Sequence, residues 1–334
     1  MTKKLVDSYG RTINYLRLSV TDKCNLNCFY CRSDPGRCTV ENTEDEELTV
    51  EDYRQISEVA VALGISRIRL TGGEPLLRAD IVEIVGAIAG IRGMRDVSLT
   101  TNGMLLEKMS QELSAAGLKR VNISLDSLDE SNFRHITQGG RLKSTLTGIE
   151  CALSAGLGPV KLNVVLLKGI NDHEIEKFIR LTIDRDLHVR FIEYMPTAGQ
   201  QGKWSNYFLD LNRVIEIARS VAPLQEVQGE HGGGPARYYT LQGAIGKIGL
   251  ISPLSRHFCA QCNRLRVTSD GKLKPCLFSD AEVDLRPALG DKKQLEIKFR
   301  EAAMLRTDPL IAACNSGDRS EQCVAKRPMF KIGG

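Results

Sequence analysis

Cys24-Asn25-Leu26-Asn27-Cys28-Phe29-Tyr30-Cys31 puts three thiols into eight residues, directly after the alternating stretch Tyr15-Leu16-Arg17-Leu18-Ser19. A tight loop of this kind brings three soft ligands round one centre without backbone strain, a donor set that suits zinc or iron–sulfur ligation. The sequence supplies no fourth ligand nearby. A structural zinc site wants one, whereas a four-iron cluster held by three cysteines leaves one iron open to a ligand that is not protein. Taken alone, the loop also fits a zinc knuckle or unconnected reduced thiols.

Downstream of this loop, strand-like and helix-like periods alternate, the pattern of a parallel α/β sheet. Strands are expected at Tyr15 to Ser19, Arg67 to Thr71, Val97 to Thr101, Arg120 to Leu125, Val160 to Leu166 and Val189 to Ile192. Thr49-x-x-Asp52 has capping-box spacing ahead of the apolar stripe Tyr53, Ile56, Val59, Ala60 and Leu63, and Gly64 stops that helix. Asp80-x-x-Glu83 heads another helix, with Ile81, Ile84, Val85 and Ile88 on one face. Six such units are fewer than a closed eightfold barrel needs, so the expected fold is α/β, an open, incomplete (β/α)6 barrel.

Side chains alternate along a strand, and the alternation here is informative. Leu16 and Leu18 oppose Arg17 and Ser19; Ile68 and Leu70 oppose Arg67 and Arg69. Val97 and Leu99 oppose Ser98 and Thr100, and Val121, Ile123 and Leu125 oppose Asn122, Ser124 and Asp126. Val160, Leu162 and Val164 oppose Lys161 and Asn163. Parallel strands covered on both faces should be nearly continuous apolar runs. These are not, so helices cover the apolar face and the arginines and lysine point into the barrel. Unpaired buried charge is unfavourable, so inward cations imply an anionic occupant such as a phosphate chain. The other reading pairs them with carboxylates, of which Asp126 and Glu193 can serve some.

Thr71-Gly72-Gly73-Glu74-Pro75 follows the second strand at the rim where barrels assemble their sites. Paired glycines let backbone approach a ligand closely. After a C-x3-C-x2-C loop with an aromatic before the last cysteine, this resembles the motif pair of the radical S-adenosylmethionine (radical SAM) superfamily. The resemblance implies a four-iron cluster on Cys24, Cys28 and Cys31, with adenosylmethionine on its open iron. It also implies cofactor contacts from Tyr30, Gly73, Ser124 and Met195.

Beyond about residue 200 the character changes. Gly232-Gly233-Gly234 marks a loop, Ala236 to Leu241 and Ala244 to Leu250 are short β-like segments, and Cys259-x2-Cys262 followed by Cys276 offers three more thiols. With His257 these would make a zinc ribbon. Asn263-Arg264-Leu265-Arg266-Val267-Thr268 and Gly271-x4-Cys276 instead resemble the C-terminal segment of the radical SAM family that opens molybdenum-cofactor biosynthesis by cyclising GTP. That resemblance spans nearly the whole chain. It implies a lyase with a second four-iron cluster on Cys259, Cys262 and Cys276, and GTP contacts from Arg17, Arg69, Thr100, Lys161, Arg264, Leu265 and Arg266. Catalytic roles are implied for Arg17 and for the terminal Gly333-Gly334, which without the family would read as a frayed end. Arg32-Ser33 stands where that family usually has Met-Pro after the third cysteine, and Cys38, Cys151, Cys314 and Cys323 match no motif. The expected division is a radical SAM barrel over residues 1–220 and an auxiliary-cluster region with the tail over 221–334. A radical SAM enzyme that modifies peptides, and a zinc-ribbon binding protein, are the alternatives.

The 334 residues include 45 Lys and Arg against 41 Asp and Glu, a net charge of +4 that is too balanced to argue for nucleic acid. Ten cysteines in so long a chain, without an apolar leader or a membrane-length apolar run, fit a reducing cytoplasm, or a mitochondrial matrix after removal of a transit peptide. Expected partners are GTP, an external one-electron donor of flavodoxin type, the next pathway enzyme, cyclic pyranopterin monophosphate synthase, and a second copy of the chain, with no membrane and no nucleic acid.

Overall fold

The structure, a computed structural model, describes residues 4–31, 47–195, 204–227, 234–256, 258–306 and 327–333. Six strands appear where the alternation places them: β1 (Tyr15–Ser19), β2 (Arg67–Thr71), β3 (Asp96–Thr101), β4 (Arg120–Ser124), β5 (Val160–Leu166) and β6 (Leu187–Glu193). They lie side by side in chain order and all parallel, because a helix returns the chain across the sheet after each.

The sheet extends further than the six-unit pattern implies. Strands β7 (Leu224–Val227), β8 (Arg237–Leu241), β9 (Lys247–Ile251), β10 (Arg264–Val267), β11 (Lys272–Lys274) and β12 (Val283–Asp284) come from the last third of the chain. β9 joins β6 and β10 joins β1, both parallel, and antiparallel pairs then finish each edge. The barrel is therefore open, and its two edges are built by consecutive C-terminal segments that lie on opposite sides of the first six strands.

Local signals explain most of the helices. In the helix Val50–Ala62, Thr49 Oγ1 accepts from Asp52 N–H and the Asp52 carboxylate accepts from Thr49 N–H, the reciprocal capping box. Its stripe of Tyr53, Ile56, Val59 and Ala60 is buried against the sheet. The helix Ile81–Ala89 buries its four isoleucine and valine positions as expected, but Asp80 makes no side-chain cap. Its carboxylate instead receives Arg78 Nε at 2.6 Å and Nη2 at 3.0 Å, a bidentate charge-assisted contact that outcompetes a neutral N–H. Arg78 also donates to the carbonyls of Val20 and Leu48, fastening both ends of the segment that carries the cysteine loop.

The apolar strand positions Leu16, Leu18, Ile68, Leu70, Leu99 and Ile123 are fully buried beneath the helices. Each contributes about 1.5–3 kcal/mol of transfer free energy, which fixes the sheet's register and hence the direction of the opposite face. On that face, register sets Arg266, Arg17, Arg69, Ser98 and Arg120 abreast on β10, β1, β2, β3 and β4. A second row, Asn122, Lys161 and His188, and a third, Ser124, Asn163 and Arg190, lie on β4, β5 and β6.

Candidate active site

The inner face encloses a cavity of about 400 Å³, within the range of small-molecule sites. All six cysteines of the two triads line it, together with Arg17, Arg69, Thr100, Lys161, Arg264 and Arg266. Tyr30, Gly73, Ser124 and Met195 line it as well. Leu265 does not: it is fully buried in the apolar core. Arg67, on the expected inward side, is also absent from the wall, while Ser19, Ser98 and Asn122 are covered by neighbours.

The first triad sits on a loop braced from behind. Gly73 N–H donates to Thr21 O and Glu74 N–H to Lys23 O, at 2.8 and 2.7 Å. A Cβ on Gly73 would lie 2.2 Å from Lys23 O, and one on Gly72 would lie 2.5 Å from Thr21 O. The close approach that demands the double glycine is therefore made by the chain's own cysteine loop. Glu74 is buried, which pushes its carboxyl up to about 7. It accepts from Asn102 N–H, Thr101 Oγ1 and Leu76 N–H, locking this turn to the end of β3. Tyr30 donates to Asp126 at 2.6 Å, and Asp126 accepts from Val165 N–H.

Asp126 and Glu193 are both committed away from the cations. Glu193 accepts from Leu254 N–H, Ser255 N–H and Ser255 Oγ. Among the described residues, Arg17, Arg69, Lys161, Arg190, Arg264 and Arg266 make no ion pair with a carboxylate; Arg120 is the exception, paired with Asp96. Arg17 and Arg69 have buried Nε atoms without a hydrogen-bond partner. Burial, followed by Arg266, Arg69 and Arg264, pushes the Arg17 guanidinium well below its ordinary range. Burial holds Lys161 at about 7, with Arg190, Arg120 and Arg69 adding to the effect. Arg190 donates to the neutral amide oxygens of Asn163 and Asn122 and is also hydrogen-bonded to the Tyr238 side chain, with no carboxylate among these partners. The cavity therefore has an uncompensated positive wall.

The second triad begins in the short turn Cys259–Gln261, closed by Cys262 N–H to Cys259 O at 3.1 Å. Burial would raise the Cys262 thiol, but Arg264 and Arg306 outweigh it and hold the thiol at about 7. The Cys28 thiol moves the other way, pushed up by burial and then by Cys31, Asp126 and Cys24. Cys31 and Cys24 act on Cys28 as like charges, a repulsion that a cationic iron core would relieve, so the donor chemistry fits a cluster. Among the described residues no three His, Cys, Asp or Glu side chains gather to hold a single metal ion. A four-iron cluster, with each thiolate on its own iron, asks for a wider spread.

Residues 327–333 are tied to the body of the fold. Arg327 bonds to Asp270 at 3.0 Å and Glu282 at 2.7 Å, and Met329 and Phe330 line the cavity. Arg266 Nη1 donates to Gly333 O at 2.9 Å. Gly333 has φ +68°, and a Cβ there would lie 2.2 Å from Thr71 Oγ1, so only glycine fits. Gly334, His257, Arg32, Ser33, Cys38, Cys314 and Cys323 lie outside the described residues. Cys151 is a free, half-buried thiol on the helix Leu142–Ser154, away from the cavity wall.

The cavity also contains Tyr15, Arg120, Asn163, Arg190 and Tyr238. Strand parity carries a signal for Tyr15, Arg120 and Arg190, each two residues from an inward position or opposite an outward one. Tyr238 has no local signal. It reaches the site because β8 pairs with β9 across Gly249, where a Cβ would lie 2.8 Å from Arg190 Cγ.

Two family models match the chain: Radical SAM superfamily over residues 18–182 and Molybdenum Cofactor Synthesis C over 187–309. A GTP 3′,8-cyclase from Peptoclostridium acidaminophilum is 45% identical over 99% of this chain and 98% of its own length. One from Geobacter sulfurreducens is 48% identical over 99% and 100%. Among solved structures, Streptococcus suis SuiB bound to S-adenosylmethionine shares the fold. Its TM-score is 0.62 at 16% identity, covering 92% of this chain and 69% of that one.

Proposed function

The chain belongs to the GTP 3′,8-cyclase family of radical SAM enzymes, and on that premise we propose how its own residues divide the reaction. Cys24, Cys28 and Cys31 hold one four-iron cluster, and Cys259, Cys262 and Cys276 hold the other. The chemistry such a loaded site supplies is reductive cleavage of adenosylmethionine to a 5′-deoxyadenosyl radical. The C3′ hydrogen of GTP would leave in 5′-deoxyadenosine, C3′ would bond to C8, and a second electron from the external donor with one proton would complete 3′,8-cyclo-7,8-dihydro-GTP at the entry to molybdenum-cofactor biosynthesis.

The remaining work is positioning. Tyr30, Gly73, Ser124 and Met195 seat adenosylmethionine beside the first triad. Arg69, Lys161, Arg264 and Arg266, with Thr100 and the backbone of Leu265, hold the GTP triphosphate. Arg17, whose strand runs directly into the first cysteine loop, lies between these groups, and with Gly333 and Gly334 it completes the reacting end. The single observation carrying this reading is the pair of cysteine triads on one cavity where, among the described residues, every lining cation but Arg120 is without a carboxylate partner. An anion of high charge, held at both ends, satisfies that wall and fixes the ribose between the two triads. Met329 and Phe330, which line the cavity, help exclude water from a reactive radical.

We keep residues 1–220 as the radical-generating barrel and 221–334 as the substrate-holding part, supported by β7 to β12 all following residue 221. A flavodoxin-like electron donor, cyclic pyranopterin monophosphate synthase as the next enzyme, a homodimer and a cytoplasmic setting complete the proposal. The free cysteines and the bacterial relatives support the cytoplasmic setting. No helix among the described residues is long and apolar enough to cross a membrane. Anaerobic purification followed by iron and sulfide assay should return two four-iron clusters per chain, and stoichiometric zinc contradicts the reading. With adenosylmethionine and dithionite, 5′-deoxyadenosine formation should respond to GTP but not to GDP or a peptide.

A further inference from the structure

The cysteine turn of the second triad is gripped by a buried charge cluster outside the catalytic cavity. Asp7 lies in a tight turn with Gly10 at φ +75°, and its Oδ1 accepts from Tyr9 and Arg11 N–H at 3.0 and 2.9 Å. Its Oδ2 takes Arg11 Nε at 2.7 Å and Arg306 Nε at 3.4 Å. Both arginines then reach past Asp7 to the same turn. Arg11 Nη1 donates to Cys259 O at 2.7 Å and Arg306 Nη2 donates to Cys262 O at 3.0 Å. The backbone carbonyls of two of the three cysteines are thereby fixed by guanidinium groups that share one carboxylate.

Two features argue for more than a structural clip. The side chains of Asp7, Arg11 and Arg306 are 0%, 11% and 4% exposed, so two cations and one anion leave one positive charge buried under the turn. Among the described residues, Arg11 Nη2 and Arg306 Nη1 are buried without a hydrogen-bond partner, donor capacity left over after both carbonyls are bound. An unbalanced buried cation is unfavourable unless an anion faces it. A four-iron core on three thiolates is such an anion, and it gains a further negative charge on reduction.

We propose that Asp7, Arg11 and Arg306 are positioning residues that set the geometry and raise the reduction potential of the second cluster. The inference rests on Cys259, Cys262 and Cys276 holding that cluster. Outer-sphere hydrogen bonds and local net charge are established levers on cluster potential, and here both act on the ligand backbone itself.

The test is potentiometric titration of both clusters by electron paramagnetic resonance in the wild type, Arg306→Gln and Arg306→Lys. Glutamine keeps a donor for Cys262 O and removes the charge; lysine keeps the charge. In Arg306→Gln the reduced-to-oxidised ratio of the second cluster at fixed potential should fall roughly tenfold, equivalent to about 59 mV for one electron. The first cluster should be unmoved, and Arg306→Lys should recover most of the shift. Selective loss of the second cluster from the glutamine variant, with retention in the lysine variant, also supports the assignment. In cluster-free protein, hydrogen exchange at residues 259–263 should quicken in Asp7→Asn. An unshifted second potential with both clusters bound, equal loss of both clusters, or lysine behaving as glutamine overturns the inference. A wild type with only one cluster overturns the ligand assignment first, a distinguishable failure.

Discussion

The two cysteine triads offer the same three thiols to the same cavity, yet their surroundings carry opposite charge. Around Cys28, burial and the anionic neighbours Cys31, Asp126 and Cys24 push the thiol up; around Cys262, Arg264 and Arg306 overcome burial and hold it at about 7. The supports differ in kind as well. The first loop is pressed against the backbone of Gly72 and Gly73, whereas the second is held by guanidinium groups from the N-terminal turn and the end of the helix Lys292–Met304. On the proposed assignment, one ligand set would serve two tasks: an anionic pole for a small cofactor, and a cationic pole for a polyanion.

The largest effects come from removing one pole at a time. Cys28→Ser should abolish turnover and leave one cluster by iron assay, while Cys262→Ser should also abolish cyclisation yet still bind adenosylmethionine. If either variant loses both clusters, the poles are not independent. Gly73→Ala should come next, because its Cβ collides with Lys23 O and must displace the first cysteine loop. Iron assay should show the first cluster depleted and the second intact; a variant with two full clusters refutes the bracing role.

A smaller and more informative effect concerns Lys161. With the empty site at about 7, the side chain is largely neutral above that pH, and a bound triphosphate favours its protonated form. GTP binding at pH 8 should therefore take up a proton, seen as a buffer-dependent enthalpy by calorimetry, and affinity should fall as pH rises through 7. In Lys161→Met the uptake should vanish and KM for GTP should rise roughly tenfold or more, with both clusters retained. The same depressed value makes ligand-free stability rise with pH from about 7 toward the unfolded lysine value of about 10.4, since the unfolded chain binds more protons in that window. Smallest of all, Thr49→Ala removes a helix cap distant from both poles. It should lower stability by about 1 kcal/mol in thermal unfolding and leave iron content and GTP affinity unchanged.

Local and periodic features were readable in the chain. β1, β2 and β5 begin and end where the alternation puts them, and the Thr49 box forms as its spacing implies. The inward cations were legible because strand parity is a two-residue rule. Features that depend on distant partners were not. Nothing near Asp80 announces that Arg78 will claim its carboxylate, and nothing in the 221–334 segment says that β9 and β10 will close opposite edges of the sheet. Asp7 and Arg11 look like an ordinary polar turn until Arg306, 299 residues after Asp7, completes the cluster. The Gly-Gly turn was recognisable as a close-approach site, but the identity of the approaching chain depends on tertiary structure.

The central claim is that one cavity presents adenosylmethionine at one pole to the ribose of GTP anchored at the other. The direct test is to incubate the anaerobic, two-cluster protein with adenosylmethionine, dithionite and GTP deuterated at C3′, and to weigh the 5′-deoxyadenosine. The account predicts deuterium in the 5′-deoxyadenosine and little of that product when GTP is omitted. Undeuterated 5′-deoxyadenosine, formed at the same rate with or without GTP, would contradict it.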